Sequence, residues 1–445
     1  MSSRWSNEQL AAINVDLGNT LVSASAGSGK TSVLSERVLR LVKSGTPISK
    51  FLILTFTNLA ANEMKNRIRT NLAKDEKTFL ESLSVDNAHI ETYDAFLLFL
   101  VKKYSYVLKL DSNVSIIDDN LLTIFTNKAI DSVLDKYYLS KDQTFVSLVN
   151  YLDIKNDDKL IDNIKNILSY PSKQMDPSNF LNHGLDILSD DGYIDKLLEE
   201  TVFVFKSTVN DYLSYLDDFM DSDDASRVEE YLNSILNCSS YDELYTFIIS
   251  TSFPKKPKNG MDEESRTLIK EKVVKFLKES LKKLGDRKAA HDLYKENLPY
   301  YKKMFEIASE VYTSITNFKH GINAYTYDDI ALMALKLLSI PSINKEIKSL
   351  FKYIIVDEYQ DTSPLQEEVL SKIGNDNLFM VGDVKQSIYA FRGADCQIFL
   401  NKSISYHNEE GGRRIDMNTS YRSRKEVVDS INDLFSRYMT TTNNP

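Results

Sequence analysis

Lys30 and Thr31 end the run Ala24-Ser25-Ala26-Gly27-Ser28-Gly29-Lys30-Thr31, and far downstream Asp357 and Glu358 open the run Asp357-Glu358-Tyr359-Gln360-Asp361. The two groups are chemically complementary. A Gly/Ser-rich turn lets backbone N–H groups approach phosphate oxygens, the lysine reaches the β- and γ-phosphates, and the threonine hydroxyl oxygen suits magnesium. Of two adjacent carboxylates, one can order the metal ion and the other can take a proton from an attacking water. Asp357, with Thr31, is therefore the expected magnesium ligand, and Glu358 the expected general base. A Gly/Ser turn between a strand and a helix, or acidic residues favoured at a helix N-terminus, would explain either run by itself. Found together, each behind an apolar strand, they predict ATP or GTP hydrolysis.

The elements that must position these groups are legible from periodicity. Short apolar, β-branched runs at 20–22, 51–55, 354–356 and 378–381 predict buried strands. Val33, Arg37 and Leu41, then Met64, Ile68 and Leu72, stand at helical spacing after two of them. Strands alternating with helices predict a parallel α/β sheet with its ligands at the carboxyl ends of the strands. The alternation stops after about Lys103 and resumes near Tyr325. The stretch between lacks strand patterns and carries stripes such as Leu122, Phe125, Ala129, Val133 and Tyr137, and Val273, Leu277, Leu281 and Leu284. It is expected to be a mostly helical domain inserted into the α/β domain. Residues 253–260 are expected to form an exposed basic loop, more often simply solvated than a phosphate contact.

At 445 residues, the chain is long enough for two or three domains. Its composition, 42% hydrophobic and 27% charged with 14 Gly and 9 Pro, is that of an ordered, helix-rich protein. A net charge of −10 argues against non-specific coating of DNA but leaves room for a local basic track. Cys238 and Cys396 match no metal or redox spacing, and no two of the five histidines stand four apart. The first residues hold no apolar targeting segment, and no run approaches the ~20 residues of a membrane span. A cytoplasmic protein is expected.

Further motifs carry a family resemblance. The segment Thr55-Phe56-Thr57-Asn58-Leu59-Ala60-Ala61-Asn62-Glu63-Met64-Lys65 resembles the first DNA-contacting motif of superfamily 1 (UvrD/Rep-like) DNA helicases. Gly382-Asp383-Val384-Lys385-Gln386-Ser387-Ile388-Tyr389-Ala390-Phe391-Arg392-Gly393-Ala394 resembles their coupling motif, and Asn418-Thr419-Ser420-Tyr421-Arg422-Ser423-Arg424 their fourth motif. Trp5-Ser6-Asn7-Glu8-Gln9 is similar to the adenine-reading glutamine motif, and Thr92-Tyr93-Asp94-Ala95-Phe96 to a further DNA motif. Three details resemble the AddA subunit of AddAB helicase–nucleases more than UvrD or Rep. They are Val384-Lys385-Gln386, the wording Asp357-Glu358-Tyr359-Gln360-Asp361-Thr362, and the run from Tyr421 through Val427 into Ile431-Asn432-Asp433-Leu434-Phe435.

The resemblance implies a P-loop NTPase (RecA-like) α/β fold, ATP and Mg2+ as cofactors, and single-stranded and duplex DNA as partners. An AddB-like subunit would complete the full-length protein. Residues 24–31 would bind the phosphates, Gln9 the adenine, and Tyr421 would stack on the same base. Lys30, Glu358, Gln386 and Arg422 would be the catalytic group, with Gln386 sensing the γ-phosphate and Arg422 as arginine finger. Phe56, Tyr389 and Phe391 would stack on bases, with Thr57, Asn58, Thr92 and Arg392 near the strand. Ser32 stands where UvrD-like enzymes often carry an arginine, and Ala24 replaces the usual leading glycine. The expected organisation is motor domain 1A at 1–105 and 323–415, helical domain 1B at 106–322, and the start of motor domain 2A at 416–445. The chain is thus expected to be an amino-terminal part that does not unwind duplex alone. A stand-alone UvrD/Rep-type helicase, or a nucleotide- and single-strand-binding fragment without turnover, are the other readings.

Overall fold

A continuous run of apolar residues becomes a strand when both faces of the sheet are covered. In the computed structural model, which describes residues 5–152, 156–170, 177–190, 192–213, 223–257 and 263–436, the strands are β1 (Thr20–Ala24), β2 (Phe51–Thr55), β3 (His89–Thr92), β4 (Ser115–Ile116), β5 (Ala324–Tyr325), β6 (Tyr353–Val356), β7 (Leu378–Gly382) and β8 (Arg413–Met417). Six of them form one sheet in the order β3-β2-β6-β7-β1-β8, every neighbouring pair parallel. Alternate residues enter opposite cores. Leu21, Leu54, Val356 and Met380 lie on one face, and Val22, Ile53, Ile355 and Val381 on the other with Val33 and Val38 of the Lys30–Lys43 helix. The chain is thus α/β with a parallel sheet, as its strand and helix periodicities imply.

β3 and β8 lie at the two edges of the sheet and were not among the expected strands. His89-Ile90-Glu91-Thr92 and Arg413-Arg414-Ile415-Asp416-Met417 mix charges with apolar residues. Edge strands carry such charges because one side is open to solvent.

Contacts divide the chain into two units, Met1–Leu122 with Asn317–Pro445, and Thr123–Thr316. The first boundary lies later than the loss of α/β periodicity suggests. Val107, Leu108, Leu110, Val114 and Ile116 all join the α/β core, and β4 pairs with β5 across the base of the insertion. Asn323, in the left-handed region at φ 51°, braces this junction by donating from Nδ2 to Asp111 O and Asn113 Oδ1.

The second unit is built from helices around two apolar clusters. One holds Ala129, Val133 and Tyr137 with Ile307 and Val311; the other holds Val273, Leu277 and Leu281 with Leu198, Val228 and Leu232. Of the expected basic loop, residues 258–260 lie outside the described residues. Its start is anchored rather than loose: Arg266 donates to Pro254 O and pairs with the buried Asp224, and Lys256 pairs with Glu263 at 2.6 Å. No helix among the described residues is long and apolar enough to cross a membrane.

One buried cation organises the first strand's surroundings. Arg37, on the Lys30–Lys43 helix, is 2% exposed and points Nη1 at the carbonyls of Ala12 (3.4 Å), Ile13 (3.1 Å) and Val15 (2.7 Å). It therefore satisfies the last carbonyls of the Asn7–Asn14 helix, where a positive charge also complements the helix dipole. Burial lowers its pKa to about 10, which still leaves it charged at neutral pH.

Candidate nucleotide and nucleic-acid site

β1 ends at Ala24, and the chain turns through Gly27 (φ 78°) and Gly29 (φ 87°) into the Lys30–Lys43 helix. Both angles are left-handed, which glycine adopts without a Cβ penalty. The absent side chains also make room: a Cβ on Gly27 would stand 2.6 Å from Ser420 Oγ, and one on Gly29 would stand 3.0 Å from Gln9 Nε2. Gly29 gives the helix no side-chain cap, so the N–H groups of Lys30 and Thr31 find no acceptor among the described residues. Ser28 Oγ is buried in the same turn without a partner. Unpartnered donors at a helix N-terminus, beside a lysine, fit a polyphosphate. Ala24, in the place of a leading glycine, is simply the buried last residue of β1.

The acidic run leaves β6 at the carboxyl end of the sheet. Asp357 N–H donates to Leu54 O at 2.9 Å, and its side chain is nearly enclosed. Burial, followed by the Glu358 charge, raises the Asp357 carboxyl to about 6, and Lys30 opposes the shift. A bound divalent cation would reverse this and hold the group ionised, so a hard oxygen donor here, with the Thr31 hydroxyl, suits magnesium. Glu358 sits at φ 52°, ψ 45°, a left-handed conformation that costs a non-glycine residue about 1–2 kcal/mol. Such a residue persists where its surroundings over-determine it. Here Glu358 Oε2 accepts from Lys30 Nζ and from Gln360 Nε2, each at 3.0 Å.

The coupling segment completes the cluster. Gln386 Oε1 accepts from Lys30 Nζ at 3.3 Å, and its Nε2 donates to Asp383 Oδ2 at 2.7 Å. Lys30, Glu358 and Gln386 therefore converge from the ends of β1, β6 and β7. Two residues in this cluster were not singled out from sequence: Gln360, which is 2% exposed, and Asp383. A polar residue between buried tyrosine and aspartate positions is the one local signal for the former.

The expected adenine and finger residues flank the loop. Gln9 caps its own helix, accepting Ser6 N–H on Oε1 at 3.0 Å, and donates from Nε2 to Ser28 O at 2.9 Å. Tyr421 N–H donates to Gly27 O at 2.8 Å while its ring is exposed, and Arg422 Cβ would lie 2.8 Å from a Cβ on Gly27.

A row of aromatic rings runs from the end of β2 to the segment after β7. Phe56 and Tyr389 have ring centroids 4.3 Å apart, Tyr389 and Phe391 5.8 Å apart, and Arg392 Cζ stands 5.7 Å from the Tyr389 ring. Phe391 is 79% exposed, which rules out a core role for it. Thr57 and Thr92 cap the helices after β2 and β3, accepting from Ala60 N–H and Ala95 N–H; Asn58 is the exposed first residue of the former helix. Thr92 is largely buried, unlike the exposed Thr57. Asp94, beside Thr92, has its carboxyl raised by burial and Asp328, with the Arg392 charge opposing.

A Gly/Ser turn at a helix N-terminus, an adjacent carboxylate pair and a glutamine hydrogen-bonded to the loop lysine stand together at the carboxyl edge of a parallel sheet, the arrangement of a P-loop fold. Residues 5–407 match the UvrD/REP helicase N-terminal domain, and the chain belongs to that family. It is 31% identical over 98% of its length to the ATP-dependent helicase/nuclease subunit AddA of Staphylococcus haemolyticus, covering 39% of that protein. The same-named proteins of Lactobacillus johnsonii and Anoxybacillus flavithermus are each 30% identical over 98% and 99% of the chain, which covers 40% and 41% of them. The chain thus spans about two fifths of the length of the curated relatives it matches.

Proposed function

We propose that this chain is the amino-terminal motor portion of an AddA-type helicase–nuclease subunit, using ATP hydrolysis to move along DNA during double-strand break repair and recombination. The observation that carries the reading is the convergence of Lys30, Glu358 and Gln386 in one hydrogen-bonded cluster, joined through residues 386–389 to the aromatic row that ends at the exposed Phe391. Magnesium ATP supplies the scissile phosphoanhydride bond. Residues 24–31 bind its phosphates, with Thr31 and Asp357 holding the metal. Lys30 neutralises charge on the β- and γ-phosphates, and Glu358 takes the proton of the attacking water. Gln386 sits beside the γ-phosphate, and Arg422 approaches it from the segment packed on Gly27. Gln9 and Tyr421 hold the base. Phe56, Tyr389 and Phe391 stack on single-strand bases, while Thr57, Asn58, Thr92 and Arg392 border the strand.

The α/β unit acts as motor domain 1A and the helical unit as domain 1B. The expected start of domain 2A at 416 falls inside β8, so the segment after β8 begins that domain: in the Lys425–Phe435 helix Val427, Ile431, Leu434 and Phe435 are each about half exposed and no residue is buried. The full-length protein works in the cytoplasm with an AddB-like partner on duplex and single-stranded DNA.

The test is ATP hydrolysis by the full-length protein with and without single-stranded DNA, for the wild type and Glu358→Gln. Strand-stimulated hydrolysis in the wild type that is lost in the variant is expected. Hydrolysis by Glu358→Gln at the wild-type rate overturns the assignment.

A further inference from the structure

The hydrogen bonds around Glu358 close into a ring. From Glu358 Oε2 one route runs through Lys30 Nζ to Gln386 Oε1, then from Gln386 Nε2 to Asp383 Oδ2. The other runs through Gln360, whose Nε2 donates to Glu358 Oε2 at 3.0 Å and whose Oε1 accepts the Asp383 N–H at 2.9 Å. Both routes link the candidate base to the segment that carries Tyr389 and Phe391.

The two routes differ in permanence. A lysine that turns to phosphate oxygens leaves both Glu358 and Gln386. Gln360 is enclosed and cannot follow. Its second Nε2 hydrogen goes to Asp361 Oδ2 at 3.0 Å, and its backbone carbonyl accepts from Ser387 Oγ at 3.2 Å. The amide orientation is determined, because a flipped side chain would set its oxygen against two carboxylates. The neighbouring strand also reserves space for it: a Cβ on Gly382 would stand 2.5 Å from Gln360 Oε1 and 3.1 Å from Gln360 N.

We propose that Gln360 is the positioning residue that couples strand binding on the row of Phe56, Tyr389 and Phe391 to nucleotide binding at Lys30 and Glu358. This rests on the nucleotide and single-strand reading above. Nucleotide binding opens the lysine route, and Gln360 then remains as the direct hydrogen-bonded link from Glu358 to Asp383. A displacement of residues 383–387 by a bound strand reaches Glu358 through it. Side chains that lack either its two donors or its acceptor break the link. Glutamate loses the donors, methionine loses both, and asparagine is one methylene too short.

Coupling of this kind is a ratio of affinities and is reciprocal, so it can be read from binding alone. The measurement is the Kd of the full-length protein for fluorescent oligo-dT, with and without magnesium and a non-hydrolysable ATP analogue. The wild type is expected to show a ratio of about fivefold or more, and Gln360→Met a ratio within about twofold of unity, with each ligand's separate Kd changed by less than about twofold. Gly382→Ala, which presses on the same amide, is expected to lower the ratio as well. If Gln360→Met does not fold, Gln360→Glu carries the same expectation, since it keeps an acceptor for Asp383 N–H. A folded variant with the wild-type ratio overturns the proposal, as does a lost ratio that merely follows the loss of one ligand. A wild type that binds both ligands with a ratio of one also overturns it, leaving the motor reading intact. A wild type that binds neither ligand sinks the motor reading itself.

Discussion

The Lys30 ammonium stands 3.0 Å from the Glu358 carboxylate, so the loop lysine and the candidate base are each other's counter-charge. The lysine is nearly enclosed and the glutamate is 38% exposed. A pair this open to solvent contributes less than about 1 kcal/mol to folding. Its value is positional.

Lys30→Ala should therefore leave the melting temperature within a few degrees of the wild type and abolish ATP hydrolysis. Thermal denaturation and a phosphate-release assay check the two halves. A large drop in melting temperature would show that the lysine is a structural cation instead.

Glu358→Gln keeps the size of the side chain and a hydrogen-bond acceptor for Lys30, but cannot take the water's proton. Magnesium ATP binding should persist while hydrolysis falls about 10²–10⁴-fold. Glu358→Gly should be just as inactive without being destabilised, because glycine is at ease at φ 52°. Chemical denaturation that finds the glycine variant clearly weaker than the glutamine variant would show that no strain resides there.

Phe391→Ala should weaken single-strand binding by about 1–3 kcal/mol, the usual worth of one base–aromatic stack. An exposed ring contributes little to the core, so stability and nucleotide affinity should hold. The slope of log Kd against log salt should also hold, whereas Arg392→Ala should flatten it by releasing fewer counterions. Salt titrations of oligonucleotide binding separate the two. Unchanged affinity in soluble Phe391→Ala protein would remove that ring from the strand's path.

Arg37→Met should destabilise the α/β unit by about 2–4 kcal/mol, because the carbonyls of Ala12, Ile13 and Val15 lose a buried charged donor. Urea denaturation reads the change. A loss under about 0.5 kcal/mol would mean that water replaces the guanidinium without penalty.

The central strands are legible because they are buried on both faces and read as uninterrupted apolar runs. The turn at Gly27 and Gly29 is legible because few residues other than glycine accept its angles. What escapes a local reading is set by neighbours distant in sequence. β3 and β8 become strands by pairing at the edges with β2 and β1, despite their charges. Residues 107–116 carry no α/β pattern, and join that core because β5 returns to pair with β4. Gln360 takes its place from Asp383 and Gly382 on the adjoining segment. Gln9 bonds Ser6 N–H through the local capping box that a Ser-x-x-Gln spacing specifies, but its second partner, Ser28 O, follows from where the Asn7–Asn14 helix meets the phosphate loop, which no spacing specifies.

The strand order has a consequence for how the chain is made. β1 lies between β7 and β8, and β2 between β3 and β6. When residues up to Leu122 have left the ribosome, β2 can meet β3, but β1 has neither of its neighbours. Both edges of β1 and the β6-facing edge of β2 must wait through the whole of the insertion, whose contacts with itself can form first. Non-local pairing of this kind is slow and leaves hydrophobic surface open in the interval. The phosphate loop is thus among the last parts of the α/β unit to become rigid, since Ser25 N–H is held by the carbonyl of Met417. A nascent chain stalled before β8 would carry the loop's residues without its shape.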